Sequence, residues 1–168
     1  IVKDAVSYTP SAFNAQSARA VILFDGNHEK LLRIVMETLR KKVPPEKFQP
    51  TEDKINPFSA GFATILFFED AAVTASLQEQ FPSYRENFPI WAQQANGMLQ
   101  MVIWTGLESE GLGASLQHYN PIIDDQVKEE WSIPDTWQLI AQMPLGNPTA
   151  DPGEKEFLPL DQRVKIFK

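Results

Sequence analysis

Residues 62–70 read Phe62-Ala63-Thr64-Ile65-Leu66-Phe67-Phe68-Glu69-Asp70. The first seven carry no charge and are apolar at odd and even positions alike, with Thr64 the one polar side chain. A strand with one wet face alternates apolar and polar residues; a run apolar on both faces must be covered from above and below. This stretch is therefore a central strand, ended by Glu69-Asp70.

Its neighbours supply the cover. Upstream, Ala20-Val21-Ile22-Leu23-Phe24 is a short buried strand, and Asp25-Gly26-Asn27 reads as a turn. Leu31, Leu32, Val35, Met36 and Leu39 then recur at helical spacing over 28–42, until Pro44-Pro45 stops the helix. Residues 46–58 read as a short helix plus loop. Downstream, 77–81 is a short helix before Pro82. Residues 88–110 form a long helix with few charges, whose Trp91, Ala95, Met98, Leu99, Val102, Ile103, Gly106 and Leu107 make a broad apolar face. Such a face needs a core or a second subunit against it. Gly113-Ala114-Ser115 is a small-residue turn into a possible strand, 124–130 is a helix and 137–145 a strand; 163–167 could be an added strand. Ile1, Val2, Ala5 and Val6 already belong to an amphipathic helix, which Thr9-Pro10 ends. A domain seldom opens in mid-helix without a cap, so residues are expected before Ile1. The whole predicts one α+β domain over 1–168, with helices on both faces of a mixed sheet.

Composition narrows the function. The 168 residues are 43% hydrophobic and 22% charged, with a formal net charge of −7. That is a globular chain whose acidic surface disfavours nucleic acid. No apolar run reaches the ~20 residues of a membrane helix. Cysteine is absent, which removes disulfides, thiol catalysis and iron–sulfur clusters and fits a cytoplasmic setting. No G-x-S-x-G elbow, G-x-G-x-x-G loop or H-E-x-x-H motif occurs, and Ser115 and His118 are badly spaced for a nucleophile–base pair. Only two histidines exist, and His28, at a helix start, is expected to be solvated. No metal site is expected.

Two segments remain that are dense in small and hydrogen-bonding groups. Pro10-Ser11-Ala12-Phe13-Asn14-Ala15-Gln16-Ser17 is either a helix end with a turn or a loop built to hold a polar, partly aromatic ligand. Gly113-Ala114-Ser115-Leu116-Gln117-His118-Tyr119-Asn120-Pro121 is either a tight connection or backbone that lets a flat ligand approach. In this order, with Phe67-Phe68-Glu69-Asp70, Phe88-Pro89-Ile90-Trp91 and Gly153-Glu154-Lys155-Glu156-Phe157, they resemble the nitroreductase superfamily. The similarity is strongest to its fatty-acid-repression-mutant-like branch of fungi and bacteria, and it runs over essentially the whole chain.

The resemblance implies a three-layer α/β/α sandwich around a mixed, largely antiparallel sheet. It also implies a homodimer with FMN at the subunit interface. Reduction would come from NADH or NADPH, and the hydride would pass to a nitroaromatic or quinone-like acceptor by a ping-pong route through the flavin. Carried over by position, Ser11 and Asn14 contact flavin, Pro10 shapes their loop and Gln16 is a further candidate. Gly113, Ala114 and Ser115 approach the ring, and Lys155 binds the phosphate. The wider family has an arginine where this chain has Phe157, so Arg163 is the candidate substitute. The family's phosphate-binding Arg-Arg-Ser motif is absent here and belongs to the segment expected before Ile1. Phe13, Phe81, Tyr84, Phe88, Trp91 and Tyr119 are candidates to line the substrate face, each with core packing as the plainer role. The rival functions are a flavin-binding redox or lipid-stress regulator with little turnover, and a helical interaction module with no cofactor.

Overall fold

The computed structural model describes residues 1–168. The central strand, β2 (Ala63–Asp70), has its first seven residues buried. It pairs antiparallel with β1 (Ala18–Phe24) on one side and with β4 (Trp137–Gly146) on the other. A two-residue β3 (Gly113–Ala114) adds to β4, giving the order β1-β2-β4-β3. Every pairing is antiparallel, so the sheet carries no parallel component.

The two faces of β2 build two cores. Ala63, Ile65 and Phe67 pack with Ala5 of α1 (Val2–Tyr8) and with Leu99, Ile103 and Leu107 of α5 (Asn87–Ser109). Leu66 and Phe68 pack with Leu31 and Val35 of α2 (Asp25–Arg40), Ile55 of α3 (Gln49–Ser59) and Val127 of α6 (Asp124–Glu130). Burying each phenylalanine contributes roughly 1.5–3 kcal/mol from apolar area alone. Helices thus cover both faces. No helix is long and apolar enough to cross a membrane.

Several local expectations need correction. Residues 25–27 are not a free turn but the first turn of α2, entered directly from β1 with Asp25 at φ 48°. The helix expected at 77–81 is α4, Ala71–Gln80, which starts at the end of β2 because the Asp70 carboxylate accepts from the Ala72 N–H at 3.2 Å. Residues 163–167 form no strand within this chain: after a single turn at Leu160–Gln162 the tail runs exposed, with no backbone edge beside it.

His28 is the largest departure. It is fully buried, and its Nδ1 lies 2.8 Å from Thr64 Oγ1, the polar atom that β2 brings into the core. Burial lowers its pKa, against smaller raising effects from the Phe58 backbone and Glu29. A histidine that resists protonation in the fold but not in the unfolded chain stabilises above the unfolded pKa of about 6.5. That stability is lost as pH falls, because the unfolded state then binds the extra proton. The urea midpoint should therefore decline from pH 7.5 to 5.5, and His28→Gln should flatten that slope while lowering the midpoint at pH 7.5. An unchanged slope in the variant would remove His28 from this account.

Candidate functional site

The Pro10–Ser17 loop is held in an unusual backbone. After the α1 end at Thr9, Ser11 starts a single 3-10 turn, Ala12–Asn14. Phe13, Asn14 and Gln16 all take left-handed conformations, with φ of 56°, 52° and 49°. Asparagine tolerates that region, whereas a Cβ-bearing Phe or Gln costs roughly 1–2 kcal/mol each. Specific bonds hold the loop against this strain. Ser11 Oγ accepts from the Gln16 N–H at 2.9 Å, and the Gln16 carbonyl accepts from Arg19 Nη1 at 2.6 Å. Arg19 is fixed in turn by Asp70 at 3.0 Å and lies over the Trp137 ring at 5.7 Å. Asn14 is exposed, and its side-chain amide makes no internal hydrogen bond. Arg19 and Asp70 are supports that motif reading missed; the signal was an arginine inside an otherwise apolar strand.

The Gly113–Ser115 segment is placed by the end of α5. Gly111, at φ 80°, terminates that helix, and the Leu112 N–H donates to the Leu107 carbonyl at 3.0 Å, closing a Schellman turn. Ala114 then pairs with Leu145, and the Ser115 N–H donates to the Pro144 carbonyl at 3.1 Å. Ser115 Oγ accepts from Gln117 Nε2 at 2.8 Å. A cleft of about 470 Å³ runs along this segment, walled opposite by Phe58 and Gly61. An adjoining cavity of about 630 Å³ is lined by Trp104, Glu108, Gly113, Ala114, Asp151 and Lys155. Lys155 therefore lines the same cavity as Gly113 and Ala114, with the two carboxylates Glu108 and Asp151 beside its one cation. Arg163 is exposed in the tail and lines neither space.

The two halves of the expected site do not meet. Pro10–Ser17 leads into Ala18, which pairs with Glu69, whereas Gly113 and Ala114 pair with Gly146 and Leu145, near Ala63 and Phe24. Six residues of β1 separate these ends, about 20 Å at ~3.3 Å per residue. The segments also lie at opposite edges of a four-stranded sheet, adding about 14 Å at ~4.8 Å per strand.

Of the six aromatic candidates, five converge at the loop end. The Phe13 ring lies 4.9 Å from Phe81, 5.6 Å from Tyr84, 5.3 Å from Phe88 and 6.1 Å from Trp91. Tyr119 belongs to the core on the α2 side of the sheet instead. Its hydroxyl is buried without a partner, and burial raises its pKa.

Comparison with known proteins gives one consistent picture. The model described as "Nitroreductase family" matches residues 1–147. The nitroreductase FRM2 of Saccharomyces cerevisiae is 35% identical over 153 residues, covering 89% of this chain and 74% of that protein. The nitroreductase CinD of Lactococcus lactis, solved in complex with chloramphenicol, is 42% identical, with a TM-score of 0.91 over 99% of this chain and 85% of CinD. Its complex with 4-nitrophenol superposes equally well, with a TM-score of 0.90 and 43% identity over the same shares.

The cleft wall gives a stability test. A Cβ on Gly61 would lie 2.5 Å from the Leu145 carbonyl oxygen, whereas one on Gly113 would come no closer than 3.5 Å to any neighbour, Pro148 Cβ being the nearest. Gly61→Ala should destabilise by about 1–3 kcal/mol through forced backbone movement, and Gly113→Ala by less than about 0.5 kcal/mol. Urea unfolding of the two variants checks the order; the reverse order would contradict the close approach.

Proposed function

This chain belongs to the nitroreductase family and is an oxidoreductase of the nitroreductase type, and from that premise we propose that it is an FMN-dependent reductase working as a homodimer. It takes hydride from NADH or NADPH and passes it to nitroaromatic or quinone-like acceptors in a ping-pong cycle. The observation that carries this reading is the separation of the two half-sites. Ser11 and Asn14 stand at one corner of the sheet, and Gly113 to Ser115 with Lys155 at the opposite one. One flavin can touch both sets only if the loop of one protomer meets the cleft of its partner.

The surface supports such a pair. Ile90, Met98, Met101 and Val102 leave an apolar stripe exposed on α5, and Phe157, Leu158, Leu160, Ile166 and Phe167 expose another along the tail. Exposed apolar side chains grouped on one helix and one tail are what an interface would cover, and obligate dimers bury ~2,000 Å² or more. The outer edge of β1 has no strand beside it in this chain, which leaves it open to a tail strand, residues 163–167, from a partner.

Bound FMN would supply the hydride chemistry, and the residues here would bind and orient it. The free Asn14 amide and Ser11 suit the polar edge of the ring. The backbone at Gly113 and Ala114 allows close approach to it. Lys155 suits the phosphate through a charge-assisted contact. Glu108 and Asp151 oppose an anion there, so a second cation is needed, with Arg163 the candidate in the tail. That the Lactococcus relative was solved with 4-nitrophenol supports a nitroaromatic acceptor.

Purified full-length protein should be yellow, release FMN on denaturation and scatter light as a dimer at micromolar concentration. NAD(P)H should bleach the flavin anaerobically, and 4-nitroquinoline N-oxide should restore its colour. Lys155→Ala should weaken FMN binding roughly tenfold, about 1.4 kcal/mol, and Arg163→Ala by no more than that. A colourless protein that takes up no added FMN would overturn the reading. Bound flavin that NAD(P)H cannot bleach would replace it with a flavin-binding regulator.

A further inference from the structure

The sealed central strand ends on a carboxylate that the proposed site does not use. Glu69 is 3% exposed, and its Oε2 is buried without a hydrogen-bond partner. The other oxygen, Oε1, accepts from Thr74 Oγ1 at 3.2 Å. Glu69 enters none of the chain's ion pairs. The cation on the adjoining strand, Arg19, stands opposite Phe68 and so on the other face of the sheet, where it lies over Trp137 and is taken up by Asp70 and the Gln16 carbonyl. What supports the carboxylate is the start of α4, which carries Thr74 and the positive end of the helix dipole.

Glu69 lies beneath the Pro10–Ser17 loop. It pairs with Ala18, which packs toward the α5 side of the sheet, and residues opposite one another share a face. The Asp70 N–H donates to the Ser17 carbonyl at 3.0 Å, so the end of β2 is stitched to the end of the loop. Thr74, which holds the carboxylate, closes with Ser11, Ala12, Ala15 and Ser17 around a space of only about 10 Å³. That is room for one water at most, so no bulk solvent lies between Thr74 and the loop. A charge in such surroundings is screened far less than one in water.

We propose that Glu69 is a redox-tuning residue, whose buried negative charge opposes the gain of negative charge by the ligand that Ser11 and Asn14 hold and so lowers that ligand's reduction potential. This rests on the flavin reading above. A hydride brings two electrons and one proton, so its transfer from NAD(P)H leaves NAD(P)⁺ and adds one net negative charge to the isoalloxazine. Glu69 raises the energy of that added charge and leaves the neutral oxidised ring almost untouched. Electrons stored on the ring are then at a lower potential, and weaker acceptors come within reach.

Charge and packing are separated by two substitutions. Glu69→Gln keeps the shape and an oxygen for Thr74 but removes the charge; Glu69→Asp keeps the charge. The readout is the midpoint potential of FMN in the full-length holoprotein, from anaerobic spectroelectrochemical titration, together with the dissociation constants of oxidised and reduced FMN. Glu69→Gln should bind oxidised FMN as wild type does and reduced FMN roughly tenfold more tightly, which for a two-electron couple raises the potential by about 30 mV. Glu69→Asp should stay close to the wild-type potential. A residue that only supports the loop would change both affinities together and leave the potential where it was. Glu69→Met, neutral and of similar length, carries the same test if Glu69→Gln does not fold. A neutral variant that holds FMN at the wild-type potential would overturn the proposal, as would a Glu69→Asp shift equal to that of Glu69→Gln. Loss of the fold in both neutral variants would overturn it too, making Glu69 a structural support. Each of these results leaves the flavin reading standing, whereas a colourless wild type that takes up no added FMN would overturn that reading itself.

Discussion

Burial of β2 on both faces is the constraint from which the rest of the structure follows. Seven successive residues without access to water oblige the chain to place helices above and below one strand. Each buried polar side-chain atom on that strand then needs a partner, and only Glu69 Oε2 lacks one. Thr64 finds His28. Where the β2–β4 register slips between Phe67 and Phe68, the Phe68 carbonyl accepts from Asn96 Nδ2 at 2.9 Å, and Gln100 secures Asn96 at 2.8 Å. An unpaired carbonyl there would cost about 1–3 kcal/mol. With its middle sealed, the sheet has only its ends to offer a ligand, and the proposed half-sites lie at opposite ends.

The two proposed half-sites are built by different physics. The loop is a strained backbone locked by side chains: Ser11 bridges it, and Arg19 ties it to Asp70 and Trp137. The cleft is a relaxed backbone made narrow by missing side chains. Gly61 and Gly146 approach so closely that a Cβ on Gly146 would lie 3.0 Å from Gly61 Cα. The first arrangement pre-organises polar contacts before a ligand arrives, which lowers the cost of binding. The second leaves room for flat groups against the main chain. A ring gripped between two such walls is oriented from both sides.

Strong local patterns carried the sequence reading. The double-sided run at 62–68 and the broad apolar face of α5 each identify their element without help, because burial writes its period into the residues. α4 was legible only at its C-terminal end, since its Ala-rich face is weakly amphipathic and its start depends on the Asp70 cap. His28 was misplaced in water because its partner, Thr64, lies thirty-six residues away. The lone hydroxyl in an otherwise apolar strand was the available hint. At the site, Ser11, Asn14 and Gly113 stood out by residue type, but their distance apart follows from strand order, which no local window contains. The same holds for the rings of Phe13 and Trp91, which meet across seventy-eight residues, and for Tyr119, which packs on the other face.

The central claim is that each flavin is held by the loop of one protomer and the cleft of the other, and subunit mixing tests it most directly. One protomer carries Ser11→Ala with Asn14→Ala; its partner carries Lys155→Ala. Each variant alone forms a dimer with two defective sites. If the halves come from different chains, the mixed dimer has one site with both defects and one intact site. A tagged, purified mixed dimer should then bind one FMN with wild-type affinity. If both halves came from a single chain, every site in the mixed dimer would keep one defect, and no site of wild-type affinity would appear.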